Sequence, residues 1–333
     1  MRGERPWSNY DIHGLVNLRT NIAFTTIPSY FRTGSLTPNL EVTLVDQLDA
    51  PPAESVNREV GYTVYEIGDG ALVYETDIPI MYLVGSKARW RFRVSGLGGD
   101  LTKVETSLPF FGFLPVRFKV TELTSRLVHL ILAIKLIRKG FAFCHATTIA
   151  KGDDAILLFG YSGTGKSILA NEMVQSGYGY MSEDFTIVDG AGTVYCYPDM
   201  PPSRSRVSRL PIARYLRLRP LNRGIAGSIK DRADLRSIVI LEKGRDEVVE
   251  LDRAEAYRRL TLLNLEEISK LWNSPISVIL NHYAYFYGEP DLVSIVKTYN
   301  SLFASVVDHA ERCVSVRSRS PNFENLRRLL PDA

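Results

Sequence analysis

The pattern of apolar and polar positions divides the chain into a β-rich first part and a second part in which strands and helices alternate. In the first part apolar and polar residues alternate over short runs, as in "LEVTLVD" (Leu40–Asp46) and "ARWRFRV" (Ala88–Val94), the pattern of half-buried strands. "GYTVYEIGDGALVYETDI" (Gly61–Ile78) places a Gly-Asp-Gly turn between two such runs and predicts a hairpin. "IMYLVG" (Ile80–Gly85) and "VRFKV" (Val116–Val120) complete the predicted strands.

A helix is predicted where this pattern stops. "TELTSRLVHLILAIKLIRKG" (Thr121–Gly140) has a polar start, apolar residues at helical spacing, basic residues in its last turn and a terminal glycine, which is a well-delimited helix. Its apolar segment Leu127–Ile137 is too short to span a bilayer and predicts burial in protein. We therefore predict a β-rich N-terminal domain over residues 1–119, which selects a substrate or partner, and a second domain over residues 120–333.

The second domain is predicted to be an α/β structure. Its β-rich runs and helical runs follow one another, and the last two helical runs are amphipathic. The predicted strands are "FAFCHATTIA" (141–150), "AILLF" (155–159), "YGYMSED" (178–184), "FTIVDG" (185–190) and "RSIVILEKG" (236–244), and the predicted helices are "ILANEMVQSG" (168–177), residues 254–273 and residues 291–310.

Composition narrows the class of protein without assigning a function. Of the 333 residues 45% are hydrophobic and 23% charged, and the formal net charge is +3, so no overall field favours nucleic acid. The three cysteines, Cys144, Cys196 and Cys313, have no paired spacing, which favours a reducing compartment over a disulfide framework. The N-terminus lacks the apolar stretch of a signal peptide, and we expect a cytoplasmic protein with no membrane partner.

A basic stretch follows in the second domain. Residues Arg204–Arg223 contain seven arginines, and Arg204–Arg236 contain ten basic residues against two acidic ones. A solvated surface loop and a lid whose arginines meet phosphates or an acidic substrate fit this stretch equally well. Nucleic-acid binding fits less well, because Tyr215 alone supplies aromatic interleaving.

The segment "LLFGYSGTGKS" (Leu157–Ser167) matches the phosphate-loop pattern G-x-x-x-x-G-K-[ST], with a predicted strand before it and a predicted helix after it. Glycines let successive backbone N–H groups point at phosphate oxygens, and the helix adds its N-terminal donors. In this pattern the lysine reaches the β- and γ-phosphates and the serine hydroxyl holds Mg²⁺. The residues predicted to bind the nucleotide are Gly160, Ser162, Gly163, Thr164, Gly165, Lys166, Ser167 and Ile168.

Acidic residues near the loop are candidates for metal and proton chemistry. Glu183 and Asp184 follow the short strand after the loop helix, where a carboxylate can bind Mg²⁺ or accept a proton from an attacking hydroxyl. Glu242 is a competing acid, because it ends the apolar run Ser237–Glu242 as the acid of an ordinary Walker B strand does. His145 lies on the strand predicted to pair with "AILLF" and can point into the site from the side. Both sets of acids stay open on these grounds.

The spacing of these residues resembles the HPr kinase/phosphorylase family, which shares its P-loop core with PEP carboxykinase. In that family a histidine precedes the first loop glycine by fifteen residues, as His145 precedes Gly160. A pair of aspartates follows the loop serine by sixteen and seventeen residues, where Glu183 and Asp184 stand here. The resemblance covers about forty residues and is that of a divergent member rather than of HPr kinase itself, since Ile168 stands where the family has glutamate.

The resemblance implies a P-loop core of mixed sheet and helices, preceded by a smaller mostly-β domain, with ATP and Mg²⁺ as cofactors. Lys166 would bind the β- and γ-phosphates, Ser167 and Asp184 would organise Mg²⁺, and the carboxylates with His145 would supply a base. The implied activity is transfer of the γ-phosphoryl group of ATP to the hydroxyl of a protein or peptide serine or of a small-molecule alcohol. Because HPr kinases assemble, a homo-oligomer is compatible with the resemblance.

Two other functions remain open on the sequence. A nucleotide-binding ATPase or switch would depend on Glu242 rather than Asp184 and would hydrolyse nucleotide without an acceptor. A sensor would bind nucleotide or polyphosphate without turnover. The sequence leaves the phosphoryl acceptor and the donor nucleotide unassigned.

Overall fold

The computed structural model describes residues 6–24, 26–48, 57–59, 62–67, 70–79, 87–107, 114–198, 228–272 and 278–319. The predicted strand "IMYLVG" and the basic stretch Arg204–Arg223 lie outside these residues.

The chain forms two compact units. The first comprises Met1–Leu136 and Lys270–Val296, and the second comprises Ile137–Ser269 and Lys297–Ala333. The first unit thus continues to Leu136 and includes most of the helix that follows the first strands.

The first unit contains a mixed sheet of nine strands within the described residues. Its strand order is β3-β1-β2-β4-β9-β8-β7-β6-β5, with parallel pairs β2/β4 and β4/β9. The strands are β1 (Ser8–Ile12), β2 (Val16–Thr20), β3 (Arg32–Thr33), β4 (Leu40–Val45), β5 (Asn57–Glu59), β6 (Tyr62–Ile67), β7 (Ala71–Pro79), β8 (Lys87–Ser95) and β9 (Thr102–Ser107). The predicted hairpin is confirmed, since β6 and β7 pair antiparallel.

Strand β8 shows why this part of the chain forms a sheet. Trp90 and Phe92 are fully buried on one face, and the Trp90 Nε1 donates a hydrogen bond of 2.8 Å to the Thr106 Oγ1 on β9. Arg91, between them, lies on the other face and pairs with Glu75 of β7. The alternation of aromatic and arginine residues is therefore that of two strand faces.

The first helix, α1 (Leu114–Arg138), confirms the helix predicted after residue 120 but begins earlier. The prediction that Val116–Val120 is a strand is wrong, because these residues form its first turns. Their β-branched and aromatic composition favours a strand, yet extending an existing helix adds one hydrogen bond per residue at little further cost. Lys135 is buried, and its ammonium donates a hydrogen bond of 3.1 Å to the Asp100 carbonyl.

The second unit is built on a mixed sheet with the path β10-β14-β15-β16-β12-β11-β13, and β18 pairs with both β16 and β17. These strands are β10 (Phe141–Cys144), β11 (Thr147–Lys151), β12 (Asp154–Phe159), β13 (Gly179–Ser182), β14 (Thr186–Asp189), β15 (Thr193–Tyr195), β16 (Arg232–Lys243), β17 (Glu247–Glu250) and β18 (Arg312–Ser318). The further helices of the chain are α2 (Lys166–Gln175), α3 (Arg253–Trp272), α4 (Val278–Tyr287) and α5 (Leu292–His309). Of these, α4 belongs to the first unit, and α3 and α5 have residues in both units.

Apolar residues cover both faces of this sheet. On one face Val239 and Leu241 of β16 belong to a buried cluster with Leu169 of α2. On the other face Ile240 belongs to a buried cluster with Leu260 of α3 and residues of α5. The alternation along β16 thus assigns α2 and α3 to opposite faces.

The described residues contain no helix that combines the length and apolar character needed to cross a membrane. The three cysteines are buried and form no disulfide with one another.

Candidate functional site

One edge of the second sheet collects most of the residues that the sequence singles out. Strands β12 and β16 run parallel, and β11 runs antiparallel to both β12 and β13. The carboxyl ends of β13, β12 and β16 therefore lie at the same edge, and β11 begins there. Because neighbouring strands are about 4.8 Å apart, the ends of β12 and β13 are separated by about 10 Å across the sheet.

The glycine loop Gly160–Ser167 leaves this edge at the end of β12. Gly160 has a φ of 147°, and a Cβ at this residue would lie 2.5 Å from the Leu241 carbonyl oxygen and 2.8 Å from the Thr164 Oγ1. Gly165 is the N-cap of α2 with a φ of 98°. The loop thus needs glycine at both positions, once because β16 approaches closely and once because of the left-handed backbone.

Hydrogen bonds within the loop fix its curvature. The Thr164 N–H and Oγ1 both donate to the Tyr161 carbonyl, at 3.2 and 2.9 Å. The Lys166 ammonium donates to the Gly160 carbonyl and, at 3.4 Å, to the Tyr161 carbonyl. The lysine is therefore folded back over the loop, at the place where the sequence predicts phosphates.

The remaining predicted loop residues differ in exposure. Ser162 and Gly163 are exposed, Ser167 is half-buried in the first turn of α2, and Ile168 is 46% exposed. Leu169 is fully buried against the sheet and anchors the helix whose N-terminus faces the loop.

The acid pair forms a turn between β13 and β14. Glu183 is buried, at 5% exposure, whereas Asp184 is exposed. The Thr147 Oγ1 of β11 donates a hydrogen bond of 2.7 Å to the Glu183 carbonyl. The turn is therefore fixed to the start of β11 at the same edge as the glycine loop.

Buried hydroxyl groups hold the two ends of this turn together. The Thr186 Oγ1 lies 2.5 Å from the Thr148 Oγ1, hydrogen-bonds the Ser182 hydroxyl, and lies 3.4 Å from the Ala146 carbonyl, to which it donates. Such a connected set of buried hydroxyls keeps each polar group paired and limits the movement of the turn.

His145 lies in the link between β10 and β11 and not, as predicted, on a strand. The link is closed by a hydrogen bond of 2.9 Å from the Ala146 N–H to the Cys144 carbonyl, so the pairing with β12 starts only at Thr147. The His145 ring packs edge-on to Phe185 with ring centroids 5.5 Å apart. It is therefore beside the acid turn, and its half-buried position leaves part of it open.

Cys144, which precedes His145, belongs to a buried apolar cluster, and Tyr299 packs against that cluster. Burial raises the pKa of the Cys144 thiol, which keeps it protonated and makes it a poor nucleophile. Burial, with a contribution from Cys144, also raises the pKa of the Tyr299 hydroxyl well above its usual value.

The comparisons with known proteins find likeness among solved structures only. No protein-family model matches the chain, and no curated protein does. Among solved structures, the Hpr(Ser) kinase/phosphatase from Coxiella burnetii matches with 14% sequence identity and a TM-score of 0.23. The match covers 32% of this chain and 77% of that one.

Glu242, the competing acid, is committed to ion pairs. Its carboxylate lies 3.2 Å from the Arg259 guanidinium and 2.9 Å from the Arg317 guanidinium, and it accepts a hydrogen bond of 3.1 Å from the Ser315 hydroxyl. By the alternation of β16 it lies on the α3 face, whereas Leu241 lies on the face of α2, the helix that follows the loop.

Two residues at the site were not found by sequence reasoning. The Asn264 Oδ1 of α3 accepts a hydrogen bond of 2.8 Å from the His145 N–H, and Asn264 is 1% exposed. The Lys243 ammonium lies close to Gly163 of the loop. Asn264 continues the buried series Ala256 and Leu260 at a spacing of four. A polar residue on this apolar helix face is the feature of the sequence that could have identified Asn264.

Proposed function

We propose that the chain is an ATP- and Mg²⁺-dependent kinase with a P-loop core like that of HPr kinase and PEP carboxykinase, which transfers the γ-phosphoryl group to a hydroxyl. The observation that carries this proposal is the position of the glycine loop, the acid turn and His145 at one edge of one sheet. The matched spacing of the same residues supports it.

The chain offers oxygen ligands for Mg²⁺ at this edge. Ser167 lies in the first turn of α2 and the exposed Asp184 follows β13, and hydroxyl and carboxylate oxygens are the ligands that Mg²⁺ accepts together with substrate phosphates. These residues fit the ion. When bound, Mg²⁺ neutralises negative charge on the phosphates during transfer.

The residues of the edge divide the work of transfer. Lys166 and the loop N–H groups bind the phosphates, and the acid turn with His145 receives the acceptor. The acceptor oxygen bonds to the γ-phosphorus while the bond from that phosphorus to the β–γ bridging oxygen breaks. ADP leaves with the bonding electron pair, and the acceptor's proton passes to a carboxylate of the acid turn.

The ion pairs of Glu242 favour a kinase over an ATPase of the ordinary Walker B type. A metal acid must have oxygens available, but those of Glu242 already meet two guanidinium groups and a hydroxyl. Asp184, in contrast, is exposed at the end of β13. The β-rich first unit then has the role of selecting the acceptor.

The test is transfer of label from γ-labelled ATP with Mg²⁺. The purified chain is added to cell extract separated into protein and small-molecule fractions, with Asp184→Asn and Asp308→Asn as matched charge removals. Asp308 is exposed near the end of α5. We expect label in one fraction, a loss of about a hundredfold or more in Asp184→Asn, and unchanged transfer in Asp308→Asn. Release of free phosphate alone, equal with and without extract, contradicts the kinase and favours an ATPase.

A further inference from the structure

A second lysine reaches the glycine loop from the neighbouring strand. Lys243 is the last residue of β16, and a Cβ placed on Gly163 would lie 3.9 Å from the Lys243 Nζ. The ammonium group therefore lies beside the middle of the loop, where the side chain of any other residue would meet it. It comes from a part of the sequence about eighty residues away from the loop.

The backbone of β16 determines this position of Lys243. β16 runs parallel to β12, and the Leu241 carbonyl is the group that Gly160 approaches. Lys243 follows Leu241 by two residues and so extends on the same face of the sheet, toward α2 and the loop. Glu242, between them, extends to the other face and its arginine partners.

The Lys243 ammonium group is available to bind an anion. Within the described ranges it makes no ion pair and no hydrogen bond, and the residue is exposed. Both neighbouring cations are already engaged, since Lys166 donates to loop carbonyls and Arg317 pairs with Glu242 and Glu247. An ammonium group beside backbone N–H donors is a strong partner for phosphate oxygens.

We infer that Lys243 is a second cation for the phosphate chain of the nucleotide, acting together with Lys166. This inference deepens the proposed function and rests on it for the identity of the ligand. It concerns binding, so it is read from nucleotide affinity and not from phosphoryl transfer.

The test measures binding of Mg·ATP and of inorganic triphosphate to the full chain by titration calorimetry. Removing the charge in Lys243→Met is expected to weaken both ligands by about tenfold to a hundredfold, the range for a hydrogen bond between charged groups. Lys243→Arg should retain most of the affinity. Lys151→Met is the matched control, because Lys151 ends β11 at the opposite edge of the sheet and is exposed.

A measurement on the unaltered chain accompanies the variants, in case Lys243→Met lowers stability. Acetylation of lysines by an amine-reactive reagent is followed by mass spectrometry with and without Mg·ATP. Lys243 should be protected by the nucleotide and Lys151 should not. Affinity unchanged in Lys243→Met, or equal acetylation of Lys243 in both conditions, overturns the inference.

The two proposals fail in different ways. If the chain binds ATP through Lys243 but labels no acceptor, the kinase is wrong and the binding role of Lys243 stands. If the unaltered chain binds neither ATP nor triphosphate, both are overturned.

Discussion

Gly160 is the loop residue whose substitution has the most direct structural consequence. In Gly160→Ala the new methyl group collides with the Leu241 carbonyl. The alanine must also adopt a φ angle that L residues rarely adopt. We expect the free energy of unfolding to fall by about 3 kcal/mol and ATP binding to be lost. Urea denaturation and calorimetry measure the two effects.

Gly152→Ala is the control that introduces backbone strain without a steric clash. Gly152 has a φ of 62° in the turn between β11 and β12, and nothing lies within 4 Å of its Cβ position. The free energy of unfolding of Gly152→Ala should therefore fall by only about 1 kcal/mol, and the variant should bind ATP as the unaltered chain does. Equal losses in the two variants would show that the approach of β16 to the loop is unimportant.

Asn264 is expected to position His145 through the backbone. Asn264→Ala leaves the His145 N–H without its acceptor in a buried place, so the free energy of unfolding should fall by about 2 kcal/mol. Phosphoryl transfer should also fall through kcat with KM for ATP little changed, because the loop is untouched. Asn300→Ala, at an exposed position on α5, should alter neither quantity.

Sequence spacing points to those residues of the candidate site that lie close together along the chain. The loop, the acid pair and His145 fall within about forty residues, and a known pattern covers them. Asn264 and His145 are 119 residues apart, and the position of Lys243 beside the loop depends on which strand lies beside β12. Local patterns contain no information on that pairing.

At the scale of elements, α1 contains a titratable residue that links stability to pH. Burial lowers the pKa of His129 from 6.5 to about 4, so His129 stays neutral in the fold while the unfolded chain takes up a proton below pH 6.5. Stability contributed by neutral His129 is thus complete above pH 6.5 and declines as the pH falls toward 4. The decline amounts to about 3 kcal/mol.

The comparison of His129→Leu with the unaltered chain checks this linkage. The variant should lose the part of the pH dependence between pH 6.5 and 4 when urea unfolding is measured across that range. His309→Gln, at an exposed helix end, serves as the control. If His129→Leu keeps the full pH dependence, another group is responsible.

The elements themselves were predictable where local pattern and tertiary context agree. Strands such as β4, β8 and β12 and helices α2, α3 and α5 follow from period and punctuation. The segment Val116–Val120 has the composition of a strand, but its place at the start of a long helix decides its conformation. The link that contains His145 was missed because the run Phe141–Ala150 has no glycine or proline to mark a turn.

At the scale of the whole molecule, nucleotide binding should slow hydrogen exchange in the second unit and not in the first. Mg·ATP at a hundredfold excess over its dissociation constant stabilises the folded chain by about 2.7 kcal/mol. Hydrogen exchange followed by mass spectrometry should show protection in peptides covering residues 160–170 and 182–187. Peptides from β7 to β9 should exchange at unchanged rates. No protection at the loop under saturating ATP would contradict the proposed site.

The long separation between paired strands has a consequence for the order in which the molecule matures. Strand β12 finds its partner β16 about eighty residues later, and β16 finds β18 some seventy-five residues after that. The first unit likewise recruits residues 270–296. During synthesis neither sheet can be completed until most of the chain has left the ribosome. Until then β12, the strand that precedes the glycine loop, has an unpaired edge. Unpaired strand edges can pair with other nascent chains and aggregate. We therefore expect correct folding of this protein during synthesis to depend on chaperones.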